Sequence, residues 1–341
     1  MMDMTEEVGF GIRLPVYGKF PVANPFDLIR KLTTTADQGG VSSVWVVDHF
    51  ALPDESIEAA GGVPGKNAPL EAWTTLTAAA AWTKHLRLGT EVTPMIRWHP
   101  SILAKVTATL DVLSGGRVIL GAGAGWFPQE FKAFGLPWDR IDHRFERMYE
   151  SIEVITRLWR DDVASYDGAY YRLRAARLLP KPIQKPHPPI WFGGRSDRIL
   201  RSVVTYGDGW IPANNTSPVE YEAQATRLRE IASDAKREVS EITFSGPFLT
   251  QIDRDHQKVR SSIRAYSLAA AGGKEASGWN TAFGRSLIYG MWGTPKECIR
   301  RMEIYIGLGV QHFILDLLPP TTALTSLELL CEEIIPHFHR K

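Results

Sequence analysis

Short runs of apolar residues recur along the chain and alternate with longer stretches whose apolar residues repeat every three or four positions. The short runs have the length and character of strands that are buried on both faces, which is typical of a parallel sheet. The longer stretches have the period of amphipathic helices. Eight strands are predicted, and they cover positions 8–14, 44–47, 86–93, 117–123, 190–194, 208–212, 242–250 and 312–317.

Helices are predicted between these strands, and several begin with recognisable capping sequences. Asn24 precedes Pro25, a combination that favours the start of a helix. Ser217 and Thr294 are each followed three positions later by glutamate, which is the pattern of a capping box. Strict alternation of eight strands with helices favours a (β/α)8 TIM barrel, and an open, doubly wound sheet is the alternative.

Three segments interrupt the alternation, and we interpret them as insertions into a single domain that covers residues 1–341. Residues 51–70 carry several glycines and prolines, which exclude regular structure there. Residues 160–187 contain the turn of a hairpin near position 168 and then closely spaced prolines that exclude a helix. Residues 270–292 are rich in glycine and are predicted to form a second long loop.

Composition and charge exclude several classes of partner. A net charge of +1 indicates neither nucleic acid nor an anionic membrane surface as a partner. Two cysteines are too few for a disulfide framework, and no spacing in the sequence indicates a metal site. No apolar run approaches the roughly 18 residues of a membrane span, and the polar start is not typical of a signal peptide. We therefore expect a cytoplasmic protein.

Asp48 and His49 end the second predicted strand, where barrel enzymes place their chemistry. An imidazole gains or loses a proton close to neutral pH, so His49 is the candidate general acid or base. A histidine that is hydrogen-bonded for structural reasons is the alternative. Because successive residues of a strand point to opposite sides, Asp48 is not expected to pair with His49, and it is equally suited to anchoring the rim of the barrel.

A run of small residues follows the fourth predicted strand and ends at Trp126. Trp126 stands where a dinucleotide-binding loop requires its third glycine, so the run does not predict that loop. Gly123 and Gly125 instead allow a flat ligand to approach the backbone, with Trp126 as a wall of the pocket. Trp98 and His99 are further candidates for this pocket, and capping of the following helix is the alternative role for His99.

A possible phosphate site follows the fifth predicted strand, where Gly193, Gly194, Arg195 and Ser196 lead directly into a helix. Free N–H groups at the start of a helix, two glycines and a guanidinium together favour phosphate binding. A tight turn with a surface arginine is the alternative interpretation.

The motifs of this chain, in their order, resemble the bacterial luciferase-like family of flavin- and deazaflavin-dependent oxidoreductases. The resemblance extends from Val8 to Leu318. The matching segments are Val47–Phe50, Leu88–Val92, Leu110–Arg117, Leu120–Trp126, Pro180–Pro186, Pro188–Gly194, Tyr206–Pro212, Gly293–Pro295 and Gly309–Phe313.

The resemblance implies a TIM barrel that holds an isoalloxazine-type ring in its chamber and the phosphate near strand five. It also implies a non-proline cis peptide at Glu91–Val92 and places His49 at the active face of the ring. The expected cofactor contacts are Asp48, Glu91, Val92, Gly123, Gly125 and the phosphate segment 193–196. The stretch 121–126 is most similar to members that use coenzyme F420. It departs from their sugar-phosphate dehydrogenase branch, in which a carboxylate follows the last glycine, and this puts sugar-phosphate oxidation in doubt.

The function that the resemblance implies is hydride transfer between coenzyme F420 and a small organic substrate. The alternative within the family is a monooxygenase that uses reduced FMN and oxygen. Outside that class, a barrel that stores a flavin or binds a ligand without turnover is the competing hypothesis. The family also implies a homodimer. No motif in segments 51–70 or 270–292 identifies the substrate.

Overall fold

The computed structural model describes residues 8–20, 24–60, 62–63, 65–67, 69–270 and 288–339. Its strands are β1 (Gly9–Arg13), β2 (Ser43–Val46), β3 (Arg87–Thr90), β4 (Thr93–Pro94), β5 (Val118–Gly123), β6 (Ala164–Asp167), β7 (Arg172–Ala176), β8 (Ile190–Gly193), β9 (Gly209–Ile211), β10 (Thr243–Ile252), β11 (Met291–Gly293) and β12 (His312–Leu317). Eight of them pair in parallel and close into a barrel, in the order β1, β2, β3, β5, β8, β9, β10, β12 and back to β1.

Helices surround the barrel. They are α1 (Pro25–Gln38), α2 (Asp54–Ala59), α3 (Ala72–Trp82), α4 (Pro100–Ser114), α5 (Pro128–Ala133), α6 (Ile141–Arg160), α7 (Asp197–Tyr206), α8 (Pro218–Asp234), α9 (His256–Ala270), α10 (Pro295–Gly307), α11 (Ala323–Leu329) and α12 (Ile335–His339). Asn24 accepts from the N–H of Phe26, and α8 begins with a complete capping box. At the start of α10 the N–H and hydroxyl of Thr294 both donate to Glu297, as the predicted box requires of its glutamate. In the part of the chain described here, no helix is long and apolar enough to cross a membrane.

The interior of the barrel is filled by large side chains from five different strands. Trp45, Ile119, Trp191, Ile211 and Ile314 are buried against one another. Because the side chains of a strand alternate between its two faces, these residues form a packed layer inside the barrel, and their neighbours along each strand pack against the surrounding helices. This layer fills the barrel beneath the carboxyl ends of its strands and forms the floor of the candidate site.

The predicted (β/α)8 barrel is confirmed, and each of the eight predicted strands has a counterpart in it. The third predicted strand is divided into β3 and β4 at Glu91–Val92, and that peptide bond is cis, as the resemblance implied. The hairpin predicted within 160–187 is formed by β6 and β7, which pair in antiparallel with Asp167 opposite Arg172.

Two loop predictions were wrong in part. The segment 51–70 contains α2, because Asp54–Ala59 precedes the glycines and carries neither glycine nor proline itself. The segment 270–292 ends in β11, which extends the sheet by pairing with the far end of β10. Residues 271–287 of that predicted loop lie outside the described residues.

Candidate active site

A cavity of about 470 Å³ lies at the carboxyl ends of the barrel strands. Its lining comes from the ends of β2, β3, β5, β8 and β9, together with residues of α6 and α7. Active sites of (β/α)8 enzymes lie at this end of the barrel, and the volume is within the range of small-molecule sites. The cavity is therefore the candidate active site.

Glycines on both sides of Val92 shape the cavity into a slot. A Cβ atom at Gly123 would lie 2.7 Å from Val92, and one at Gly193 would lie 2.8 Å from it. Val92 also packs against the buried layer inside the barrel, so it has no room to move away. These two positions require glycine, and the result is a backbone-walled slot that suits a flat ring.

His49 contacts both the cavity and the protein interior. Its Nδ1 lies 3.1 Å from Oε2 of Glu130, and the indole N–H of Trp126 lies 3.3 Å from its Nε2. An indole nitrogen only donates, so Nε2 must carry the lone pair, and Nδ1 must carry the proton that is donated to Glu130. His49 and Trp126 both line the cavity. The unprotonated nitrogen of His49 is therefore the one on the side of Trp126.

Glu130 is fully buried behind His49 and is held in its ionised form. It also accepts hydrogen bonds from the backbone N–H groups of Phe50 and Ala51 and from Nη1 of Arg97. Burial alone would raise the pKa of Glu130, but the hydrogen bond and charge of His49, together with Phe50 and Arg97, lower it. A carboxylate in this position orients the imidazole and fixes its tautomer.

Asp48 lies behind the cavity and pairs with the same arginine. Arg97 Nη2 binds Oδ1 of Asp48, and both side chains are almost completely buried. Burial raises the pKa of Asp48, and the charge of Arg97 opposes that increase. Asp48 is not among the residues found to line the cavity. Its contacts are those of an anchor at the barrel rim, and its predicted cofactor contact stays a prediction.

The predicted phosphate segment reaches the cavity with three of its four residues. Gly193, Gly194 and Ser196 are part of the lining, whereas Arg195 is exposed at the rim. The N–H of Gly194 already donates to the carbonyl of Ile211 at 2.9 Å. Ser196 caps α7, and its Oγ accepts from the N–H of Ile199 at 3.4 Å. The N–H groups of Asp197 and Arg198, in the same first turn, are the better donors for a phosphate.

Two predicted pocket residues lie elsewhere on the barrel. His99 is exposed and caps α4, because its Nδ1 accepts from the N–H of Ser101 at 3.3 Å. Trp98 is half-buried and packs against the main hydrophobic core. Neither belongs to the lining as the structure describes it. A role for them in substrate binding stays a prediction.

Glu130 is a residue of the site that no local pattern in the sequence indicates. This residue stands 81 positions from His49, in the first turn of a six-residue helix. An acidic residue in the first turn of a helix is ordinarily explained by the helix dipole, so the local pattern gives no sign of a buried partner. Only the packing of α5 against the end of β2 brings the two side chains together.

The residues present fit a flat ring with a phosphate-bearing tail. The slot around Val92 would be filled by a Cβ at either flanking glycine, and α7 begins at its other side. Glu91 also lines the cavity, and its Oε2 is buried without a hydrogen-bond partner among the described residues. In that part of the chain, no cluster of three or more His, Cys, Asp or Glu residues could hold a metal ion.

Comparison with known proteins gives one matching family and several relatives. The sequence profile of the family described as luciferase-like monooxygenase matches residues 10–312. The F420-dependent glucose-6-phosphate dehydrogenase of Amycolatopsis mediterranei (strain U-32) is 28% identical over 305 residues, which are 85% of this chain and 88% of that protein. The FMNH(2)-dependent dimethylsulfone monooxygenase of Pseudomonas putida is 33% identical over 207 residues, which are 61% and 54% of the two chains.

Solved structures share the fold over nearly the whole chain. The coenzyme F420 dependent tetrahydromethanopterin reductase from Methanopyrus kandleri has a TM-score of 0.75 and 24% sequence identity. The match covers 97% of this chain and 99% of that one.

Proposed function

This chain belongs to the luciferase-like monooxygenase family, and from that premise we propose that it is an oxidoreductase that transfers a hydride between coenzyme F420 and a small organic substrate. The observation that carries the proposal is His49, which lines the cavity with its Nε2 lone pair on the side of Trp126 while Glu130 binds its Nδ1. A relative named for F420 is similar over 85% of the chain, whereas the FMNH(2)-dependent relative is similar over 61%.

Coenzyme F420, when bound, would supply the hydride exchange itself. The residues that would hold it are Val92 with Gly123 and Gly125 along the slot, and Gly193 to Ser196 at the start of α7. They would orient the ring and exclude water from it. The buried layer against which Val92 packs would prevent the slot from widening around the ring.

His49 would exchange the proton that accompanies the hydride. Nε2 is the atom that accepts or returns this proton, and Trp126 must withdraw its N–H before a substrate can use that lone pair. The imidazolium formed at Nε2 keeps its Nδ1–H directed at the ionised Glu130. The Glu130 carboxylate therefore stabilises the charge that develops on His49.

The substrate differs from a sugar phosphate under this proposal. Trp126 stands at the position where the sugar-phosphate branch of the family carries a carboxylate that acts as an acid. Its side chain is 62% exposed and has Phe127 beside it, with ring centroids 5.3 Å apart. An aromatic wall of this kind favours an apolar or flat organic substrate over a charged one.

A titration with both cofactors tests the proposal. We expect coenzyme F420 to bind at least about tenfold more tightly than FMN, a difference of roughly 1.4 kcal/mol. Turnover should continue when oxygen is removed. Tighter binding of FMN and a requirement for oxygen would favour the second candidate, a reduced-FMN monooxygenase, which the Pseudomonas putida relative supports. Binding without turnover would favour a ligand-binding barrel.

Arg195→Ala tests the phosphate segment. We expect binding of coenzyme F420 to weaken by about tenfold, the lower end of the range for charged hydrogen bonds, because this guanidinium is exposed to solvent. The effect should shrink as the salt concentration rises. Arg201→Ala, further along α7 and also exposed, is the matched control. An unchanged dissociation constant for the Arg195 variant would place the phosphate elsewhere.

We also propose that two copies of the single domain, residues 1–341, form a homodimer. Support comes from the family, and from exposed apolar side chains on and beside α4, such as Ile102, Leu113 and Leu179. Light scattering is expected to give twice the mass of one chain at concentrations well above micromolar. A mass that stays at one chain under those conditions would contradict the proposal.

A further inference from the structure

Three charged side chains meet at the carboxyl ends of β1, β3 and β12. Arg13 Nη1 lies 3.2 Å from Oε1 of Glu91, and its Nη2 binds Oδ2 of Asp316. All three side chains are more than nine-tenths buried. Two carboxylates therefore share one guanidinium, and the cluster carries a net negative charge when both are ionised. Tyr17 is the fourth titratable group close to this cluster.

Glu91 is the member of this cluster that also lines the cavity. Oε1 of its carboxyl accepts from Arg13, and Oε2 is buried without a hydrogen-bond partner among the described residues. Leaving a buried polar atom unpaired costs about 1–3 kcal/mol, and more when it carries charge. Because Glu91 lines the cavity, a ligand bound there could supply the missing partner.

The surroundings of Glu91 disfavour its charge. Burial raises the pKa of Glu91 to about 7, with Asp316 adding to the increase and Arg13 opposing it. Although burial alone would lower the pKa of Arg13, the charges of Asp316 and Glu91 raise it, so the guanidinium stays charged. Burial also raises the pKa of Tyr17, so the phenol stays neutral.

We propose that Glu91 takes up a proton from solvent when a ring binds in the cavity, and that its protonated carboxyl then donates a hydrogen bond from Oε2 to an acceptor of that ring. Flavin and deazaflavin rings both offer carbonyl oxygens as acceptors. The inference rests on the proposed function in so far as it takes such a ring as the ligand. Oε1 keeps its hydrogen bond from Arg13 in either protonation state.

The physical reason is desolvation. A ring in the slot displaces water from the cavity that Glu91 lines, and this disfavours the ionised carboxyl further. Protonation makes the cluster neutral and turns Oε2 into a donor. Above about pH 7 the complex therefore holds one more proton at Glu91 than the free protein does. As a result, the affinity of the protein for the ring falls as the pH rises, by at most about tenfold per pH unit. Below that pH the carboxyl is protonated in both states and contributes no pH dependence.

Calorimetry in two buffers of different ionisation enthalpy tests the proposal. FMN and coenzyme F420 are each titrated above neutral pH into the wild-type protein and into Glu91→Gln. We expect the wild type to take up about one proton more than the variant. Protons that the ligand itself exchanges are common to both proteins and cancel in the comparison. Glu222→Gln, an exposed change on α8, is the matched control and should behave as the wild type.

Glu91→Gln should also bind both ligands above neutral pH at least as tightly as the wild type. Its amide oxygen can still accept from Arg13, and its N–H replaces the O–H donor. The pH dependence that is due to Glu91 should disappear. Equal proton uptake by the two proteins, or weaker binding by the variant at every pH, would overturn the proposal.

A ligand-free measurement separates this inference from the proposed function. Carbon-13 labelling of the glutamate carboxyls should reveal one signal, absent from Glu91→Gln, that titrates close to neutral pH. A midpoint near the ordinary value of about 4.3 would overturn the inference even if both cofactors bind. If neither cofactor binds, the proposed function fails, and the midpoint still decides whether Glu91 exchanges a proton near neutral pH.

Discussion

His49→Ala is expected to lower turnover by about 10²–10⁴-fold, the usual contribution of a general acid or base. The protein should still fold and bind its cofactor, because the slot and the start of α7 are built from other residues. Glu130 loses one hydrogen bond, but it keeps Arg97 and the N–H groups of Phe50 and Ala51. The decrease in turnover should therefore come from a slower chemical step.

Steady-state kinetics with coenzyme F420 and a turned-over substrate measure this effect, together with cofactor binding and thermal melting of the variant. His85→Ala is the matched control, because that side chain is 77% exposed and the residue is absent from the described lining. It should leave turnover within a small factor of the wild type. Full turnover by a correctly folded His49 variant would end the catalytic assignment, and early melting would favour a structural role.

Arg97→Met is expected to destabilise the fold by about 3–5 kcal/mol, the cost of removing one partner from a buried ion pair. Asp48 and Glu130 both depend on this guanidinium, and the three side chains are at most 2% exposed. The guanidinium also lies over the ring of Phe50, with its carbon 4.2 Å from the ring centre. A methionine preserves the packing volume, so the loss reports mainly on charge.

Urea unfolding of the wild type and the variant gives the difference in free energy directly. The destabilisation should be smaller in mild acid than in alkali, since protonation neutralises carboxyls that have lost their cation. Arg172→Met is the matched control, because its ion pair with Asp167 is largely exposed and should contribute less than about 1 kcal/mol. An equal loss of unfolding free energy in the two variants would contradict the prediction that the buried ion pairs of Arg97 stabilise the fold more than an exposed pair does.

The strands and most helices of the barrel follow from local sequence. A short apolar run such as Val44–Val47 favours a strand buried on both faces, and a cap such as Ser217 with Glu220 indicates a helix start from four residues. Alternation of these units then leaves few topologies, because parallel neighbours require a helical crossover. The ends of the strands follow as well, which is why His49 could be placed near the reaction chamber.

Local sequence was less reliable in the loops. Glycine and proline predict that regular structure stops, but they do not exclude one turn of helix between them, as in α2. The strand β11 is three residues long and exists because β10 extends beyond the barrel and offers an unpaired edge. Such an element depends on a partner distant in sequence, so no local pattern predicts it.

The residues of the candidate site also fall into those that local sequence indicates and those that only the folded structure brings together. Local patterns identify the residues at strand ends, and these include His49, the small residues beside Trp126 and the phosphate segment. Which charged side chains meet depends on the folded barrel. Glu130 reaches His49 from 81 positions away, and Arg13 joins Glu91 and Asp316 across 78 and 303 positions. Closing the barrel brings the ends of non-adjacent strands together, and hydrogen bonds between charged groups depend on that closure and on burial, which local patterns do not encode.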